Sequence, residues 1–433
     1  MIDLRRITRT FPAQERKSPP LPVLSDITLR IPPGQYAAMV GASGSGKSTL
    51  MNILGCLDRP TSGVYRLHGR DVSALPPDEL AKVRGEEIGF VFQGFQLIPR
   101  LTAIENVMLP LILQGVSEPE RRARAEQLLL RVGLHSRMHH LPAALSGGQQ
   151  QRVAIARTLA PEPSVLFMDE PLSNLDAKLR LEMRYELQRL HVETGSTFVY
   201  VTHDQMEAMT LATQICLINN GVLQQYEPPL TVYNHPQNLF VADFVGNPSI
   251  NFVEAKGAQQ PDGSITLEIL GGVKAVFRPR EGLDLAAWFA ERDRKAAAHA
   301  AERLAKSQEK GYVEKGNKDE PFRYHIAKVE EEDDSLQEDP VLTNEDLVLG
   351  IRPEFLNITN EAPLKGEIYG AMPTGMESTI KVYVNGFLLT GVVFGSSLFT
   401  IGQQHSVSFT GHHIMLFDRQ SGDCIALGSL ETL

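Results

Sequence analysis

Cysteine is scarce: Cys56, Cys216 and Cys424 are the only three in 433 residues. They lie far apart and in no metal-ligand spacing. That excludes a disulfide-stapled fold and fits a reducing compartment. No run approaches the roughly 18 apolar residues that a membrane-crossing helix needs, and Met1 to Arg6 opens without the apolar core of a signal peptide. Any membrane role is therefore expected to come through a partner. Positive charge is not in excess either. The formal charge is -10, from 42 Lys and Arg against 52 Asp and Glu, which argues against a general nucleic-acid binder. Tryptophan occurs once, at Trp288. The length suggests roughly two to four domains, each able to bury a core.

What is present begins with Gly41-Ala42-Ser43-Gly44-Ser45-Gly46-Lys47-Ser48-Thr49, which fits the phosphate-binding loop pattern. Tyr36 to Val40 reads as a buried strand before it and Leu50 to Leu54 as a helix after it, the context the pattern requires. Glycines let backbone N–H groups curl around phosphate oxygens, and the helix start adds its own free N–H groups. Lys47 is placed to reach the outer phosphates and Ser48 to offer its hydroxyl to Mg²⁺. The competing reading is a plain Gly/Ser turn before a helix. Lys and Ser in register disfavour it.

Along the chain, Ile7 to Thr10 is expected to form an edge strand and Val23 to Ile31 a half-buried one. Val64 to Leu67 reads as a hairpin arm and Ile88 to Phe92 as an apolar strand ending at Gln93. Ala103 to Leu113 and Glu118 to Val132 read as helices that interrupt strand–helix alternation. Ser146-Gly147-Gly148 opens another helix; by itself this suits a helix cap or an anion site. Val165 to Met168 is a strand of the kind buried on both faces of a parallel sheet, ending in Asp169 and Glu170. At such strand ends Asp169 suits Mg²⁺ and Glu170 suits orienting a water, unless both simply cap the next element. Phe198 to Thr202 is a similar strand, ending at His203. Asn219-Asn220-Gly221 signals a hairpin.

Together these residues resemble the ATPase subunits of ATP-binding-cassette transporters, densely over residues 1 to 250. Leu145 to Gln149 matches that family's signature sequence, Gln93 its glutamine loop, Ser173 to Asp176 its aspartate loop and His203 its switch histidine. Phe11 falls where the family stacks an aromatic on adenine. The resemblance implies an α/β fold. Its core is a P-loop, RecA-like parallel sheet with an inserted helical subdomain at about 94–160, in a nucleotide-binding domain of residues 1–240. The implied cofactors are ATP and Mg²⁺. Glu170, His203 and Gln93 would be catalytic, and Ser48, Gln93 and Asp169 would hold the metal. The nucleotide would be held by Phe11, Gly41, Ser43, Gly44, Ser45, Gly46, Lys47, Ser48 and Thr49, and by Ser146, Gly147, Gly148 and Asp176. Implied partners are a second ATPase subunit, as a homodimer, then two integral-membrane permeases and, indirectly, a solute-binding protein. No nucleic acid is implied. The expected place is the cytoplasmic face of the inner membrane, as a peripheral subunit.

Two resemblances meet in one chain. Gly41 to Thr49, Met51 to Asp58 and Ile88 to Pro99 look like lipoprotein-release and macrolide-exporter ATPases. Leu172 to Arg180, Val201 to Thr210, Tyr233 to Pro236 and Asn247 to Phe252 look like maltose- and oligosaccharide-importer ATPases. Residues 241–433 hold short β-type runs between glycine turns, as in a small OB-like barrel. Val348 to Glu354 resembles the importers' regulatory barrel. The expected function is thus energising import of a sugar or related polar solute. The alternatives are an exporter or lipid-extrusion ATPase, and a soluble cassette ATPase with no membrane partner. Residues 285–346 read as an insertion in the barrel: a helix-favouring stretch to about Gln308, then a charged run including Glu330 to Asp334.

Overall fold

The computed structural model describes residues 1–12, 20–307, 322–329, 342–359, 361–395 and 398–433. Most of the charged run of the insertion, Glu330 to Asp334 included, lies outside them, as does the middle of the proline-rich stretch after Phe11. One compact unit is formed by residues 1–230, a second by the described residues beyond 230.

The first unit opens with β1 (Ile2–Phe11) and β2 (Leu21–Ile31), followed by β3 (Tyr36–Val40) and α1 (Lys47–Leu54). Next come β4 (Ser62–Leu67), β5 (Arg70–Asp71), α2 (Pro77–Glu86) and β6 (Ile88–Val91). A helical block holds α3 (Ala103–Leu113), α4 (Glu118–Arg131) and α5 (Gly147–Leu159). Then follow β7 (Val165–Asp169), α6 (Ala177–Thr194), β8 (Thr197–Val201), α7 (Gln205–Leu211), β9 (Gln214–Asn219) and β10 (Val222–Glu227). The central sheet has the order β10-β9-β3-β8-β7-β6. All its pairs are parallel except the β9–β10 hairpin. That hairpin turns at Asn220 (φ 48°) and Gly221 (φ 75°), the left-handed pair that a two-residue turn demands.

Every residue of β3 and β8 is buried. Strands covered on both faces can be apolar throughout, which is why periodicity gives no alternation here. One apolar cluster packs α1 and the antiparallel sheet beneath the parallel one; another joins α3, α4, α5 and α6. In the four-stranded antiparallel sheet, order β2-β1-β4-β5, β1 is an inner strand rather than an edge. Its bulged register with β2, shifting between Leu4 and Thr10, obscures the alternation that would have revealed it. The helix α2, unforeseen from sequence, starts at Pro77 with Asp78 and Glu79 in its first turn. Those are ordinary helix-start residues that a weak apolar face leaves unremarked.

The division falls within α8 (Pro229–Asn234), and the second unit continues with α9 (Leu239–Phe244). Strands β11 (Asn251–Gln259), β12 (Ile265–Ile269), β13 (Val273–Pro279), β14 (Asp346–Ile351), β20 (Ile414–Asp418) and β21 (Cys424–Thr432) close a barrel. The strands β15 (Leu356–Thr359), β16 (Leu364–Pro373), β17 (Glu377–Val384), β18 (Phe387–Phe394) and β19 (Gln404–Phe409) make a separate five-stranded sheet. The barrel was expected; the second sheet was not. Between β13 and β14, α10 (Leu285–Ser307) buries Leu285 and Phe289 in an apolar cluster shared by the barrel and the five-stranded sheet. Arg292 of α10 reaches Asp418 at 3.0 Å, and Asp418 has no exposed surface. The start of the insertion is therefore built into the unit and not merely appended to it.

A buried carboxylate that loses its counterion is costly. We expect Arg292→Met to destabilise the second unit by about 3 kcal/mol. Arg292→Met/Asp418→Asn should recover part of the loss, as read by chemical denaturation of both variants.

Candidate functional site

Ligand chemistry in an open parallel sheet sits at the carboxyl ends of the strands. Here four strands end along one edge. β3 runs into the glycine loop, β6 into Gln93, β7 into Asp169 and Glu170, and β8 into His203.

The glycine loop is shaped by three left-handed glycines, Gly41, Gly44 and Gly46. A Cβ at Gly41 would stand 2.0 Å from the carbonyl oxygen of Ile218, so no other residue lets the loop pass so near β9. Gly46 is the N-cap of α1, and Lys47, Ser48 and Thr49 form its first turn. Lys47 is 9% exposed. Its ammonium donates to the carbonyls of Gly41 at 2.9 Å and Ala42 at 2.8 Å. Burial lowers its pKa, while Glu170 and Asp169 push the other way. Ser45 is buried with its hydroxyl unpartnered, whereas Ser43 and Ser48 are exposed. A buried lysine held on loop carbonyls, an orphaned hydroxyl and a helix start fit a bound phosphate chain.

Asp169 and Glu170 meet this loop electrostatically. Burial raises the Asp169 pKa, the charge of Glu170 adds to the rise, and Lys47 opposes it. Glu170 sits at φ 43°, in the left-handed region that non-glycine residues rarely occupy. Its N–H is tied to the Val201 carbonyl at 2.9 Å. Its Oε1 lies 2.9 Å from Nδ1 of His203. The strained turn thus points a carboxylate at the neighbouring strand's histidine, as strained residues at functional sites commonly do.

The Gln93 amide donates to Ser173 Oγ at 3.1 Å, and Ser173 Oγ donates to the Glu170 carbonyl at 2.9 Å. Asn174 Nδ2 returns to the Gln93 carbonyl at 2.8 Å. The glutamine and aspartate loops are therefore stitched together beside Glu170. Ser48, Gln93 and Asp169 offer hydroxyl, amide and carboxylate oxygens, the donor set of a hard cation. No cluster of three or more His, Cys, Asp or Glu able to hold a metal occurs among the described residues.

Other candidates are engaged elsewhere. The Ser146 hydroxyl accepts from the Gln149 N–H, and the Gln149 side chain returns to the Ser146 N–H, a complete capping box. Gly147 and Gly148 lie against Leu175 and Leu179: a Cβ at Gly148 would meet Leu179 Cδ2 at 2.5 Å. Asp176 caps α6 through the Leu179 N–H at 2.9 Å. Phe11 ends β1 with the Arg9 guanidinium 4.5 Å from its ring centroid, so one ring face is already covered. No described helix is long and apolar enough to cross a membrane.

The ABC transporter family profile matches residues 24–173. The maltose/maltodextrin import ATP-binding protein MalK of Yersinia pestis is 44% identical over 257 residues, 59% of this chain and 68% of the relative. The spermidine/putrescine import ATP-binding protein PotA of Pseudomonas aeruginosa is 39% identical over 276 residues, 64% of this chain and 72% of the relative. The macrolide export ATP-binding/permease protein MacB of Syntrophobacter fumaroxidans is 50% identical over 226 residues, 52% of this chain but only 31% of that protein's length. Among solved structures, a dimeric bacterial ABC transporter cassette matches at 42% identity and a TM-score of 0.48, covering 53% of this chain and 99% of that one. The chain belongs to the ATP-binding, ATP-hydrolysing subunits of ABC transporters.

The Asp169 environment gives a test with a definite sign. Its folded pKa lies above the unfolded value, so ionised Asp169 costs stability at neutral pH. That cost disappears as pH falls through the folded pKa toward the ordinary carboxylate range. We expect Asp169→Asn to raise the melting temperature of the nucleotide-free chain at pH 7 and to lose that advantage near pH 4, while ATP turnover is lost.

Proposed function

We propose that this chain energises import of a sugar or related polar solute through partner permeases. The observation that carries the reading is the barrel unit after the cassette, with Val348 to Glu354 in it. The match to two import proteins over about two thirds or more of their length supports it. In this reading two copies face each other head to tail. Lys47 and the loop N–H groups hold the phosphates of ATP, and Ser146, Gly147 and Gly148 of the opposite copy close on its outer phosphate. Mg²⁺, held by Ser48 and Asp169 with Gln93 near, would neutralise the phosphate charge. Phe11 stacks on the adenine with its free face, and Asp176 borders the site from the opposite copy. Glu170 aligns a water for attack and takes its proton, while His203, 2.9 Å from Glu170, fixes that carboxylate. ATP drives closure because it binds the closed pair better than the open one. The copies work at the cytoplasmic face of the inner membrane, and a solute-binding protein delivers cargo to the permeases.

A second reading is an exporter engine. It is favoured by the 50% identity to the macrolide export protein over 226 residues. Purification from native membranes separates the two: two short permeases with a solute-binding protein support import, and one permease with a large external domain supports export. For the chemistry itself, Glu170→Gln should lower ATP turnover by at least about 100-fold. It should also accumulate an ATP-bound dimer on size exclusion. A variant that stays monomeric in saturating ATP, or turns over normally, contradicts the proposed mechanism.

A further inference from the structure

Beside the site runs a polar network that none of these roles uses. Glu207 lies in α7, four residues past His203, and is 3% exposed. Its Oε2 accepts from the hydroxyls of Tyr200 and Thr202, each at 2.8 Å. Its Oε1 faces Arg184 at 3.8 Å and Arg180 at 4.0 Å, both from α6. Asp204 joins the set. It takes Arg184 at 3.2 Å and Arg180 at 3.7 Å, and also caps α7 through the Glu207 N–H at 3.2 Å. The Thr202 hydroxyl accepts the Asp204 N–H at 3.0 Å, so the residues on either side of His203 are pinned to each other.

Arg180 has a further task. Its guanidinium also donates to the carbonyl of Leu175 at 3.2 Å, in the aspartate loop. One side chain therefore holds the loop carrying Asp176 and the carboxylates that frame His203. On the opposite side the same two loops are linked through Ser173 to the Glu170 carbonyl, and Glu170 to His203. The aspartate loop and the switch histidine are thus connected along two independent routes. One runs through Glu170, a group of the reaction; the other runs through Glu207 and Arg180, which do not touch the nucleotide site.

We infer that Glu207 and Arg180 are positioning residues for ATP hydrolysis. Together they form a latch that transmits the position of the aspartate loop to His203. This rests on the site assignment proposed above. In the head-to-tail pair the aspartate loop borders the opposite copy's nucleotide. The latch therefore gives each His203 a mechanical report of whether the other site is closed. A buried carboxylate hydrogen-bonded by two hydroxyls, with two guanidiniums in ion-pair range at 3.8 and 4.0 Å, is held from both sides, so the report passes through few moving parts.

The test uses the full chain with ATP and Mg²⁺. Glu207→Gln keeps an oxygen for Tyr200 and Thr202 but loses the charge that faces the arginines. Arg180→Met keeps the stem and removes the latch from the other side. Each should lower kcat by about tenfold with little change in the KM for ATP, and should reduce any cooperativity in ATP that the wild-type chain shows when measured alongside. The double variant should be no slower than either single one, because both remove the same link, and Arg180→Lys should restore part of the rate. Wild-type kcat in Arg180→Met, or losses that multiply in the double variant, overturns the latch. A fall in kcat accompanied by an equal rise in KM overturns it too. Should Glu207→Gln not fold, Arg180→Met, whose side chain is about one-third exposed, decides alone. Failure of the underlying site assignment shows separately, as undiminished turnover in Glu170→Gln.

Discussion

A single row of backbone pairing places the chemistry. Met39 of β3 and Asp169 of β7 both stand beside Val201 of β8, in parallel register. From that row, one residue more of β3 leads into the glycine loop, the next residue of β7 is Glu170, and two residues more of β8 bring His203. A slip of one residue between any two of these strands would exchange their faces and separate the groups. Every residue of β3 and β8 is buried on close-packed faces, so a slip would set side chains of the wrong shape into both layers. Stability of the sheet and alignment of the site are the same constraint.

This explains what the sequence made legible. Apolar runs ending in polar residues mark strand ends of a parallel sheet, so the loop from Gly41, the Asp169–Glu170 pair and His203 are readable as neighbours from the sequence. Turn chemistry was equally legible at Asn220 and Gly221. What stayed hidden was relational. Nothing in Glu207 distinguishes it locally from a solvent-facing glutamate on a short amphipathic helix. Only the fold shows Arg180 and Arg184, four residues apart on α6, aimed at it. The inner position of β1 was hidden by its bulges, and the separate second sheet by its closing pairs, β15 and β16 with β19, which join runs far apart in the chain.

The second unit follows different rules. Its strands pair antiparallel, and buried arginines anchor stretches of backbone outside the strands. Arg352 is fully buried. It donates to the carbonyls of Ala242, Val245 and Tyr233 while its guanidinium lies 4.1 Å from the Tyr233 ring centroid. One arginine so satisfies the open carbonyl end of α9 and fixes the approach to the barrel, work that several ordinary caps would otherwise share. Arg292 acts differently, anchoring α10 to the barrel through the Asp418 carboxylate at the end of β20. The similarity of Val348 to Glu354 to an importer-type barrel segment thus includes a residue whose role here is structural.

The arrangement of the signature residues constrains how the first unit can act. A lone copy already spends the Ser146 hydroxyl on its helix cap and sets Gly147 and Gly148 against the leucines of the aspartate loop and α6. The phosphate loop, by contrast, presents Lys47 with two carboxylates near it, and burial disfavours the charged form of Lys47 and of Asp169 alike. Such a site gains most from a polyanion with its cation, which turns repulsion between carboxylates and phosphates into coordination. The signature helix gains from the same ligand only when it approaches from outside. In the proposed pair the phosphate chain is therefore the one object that satisfies both surfaces, and losing its outer phosphate removes the reason for them to stay together.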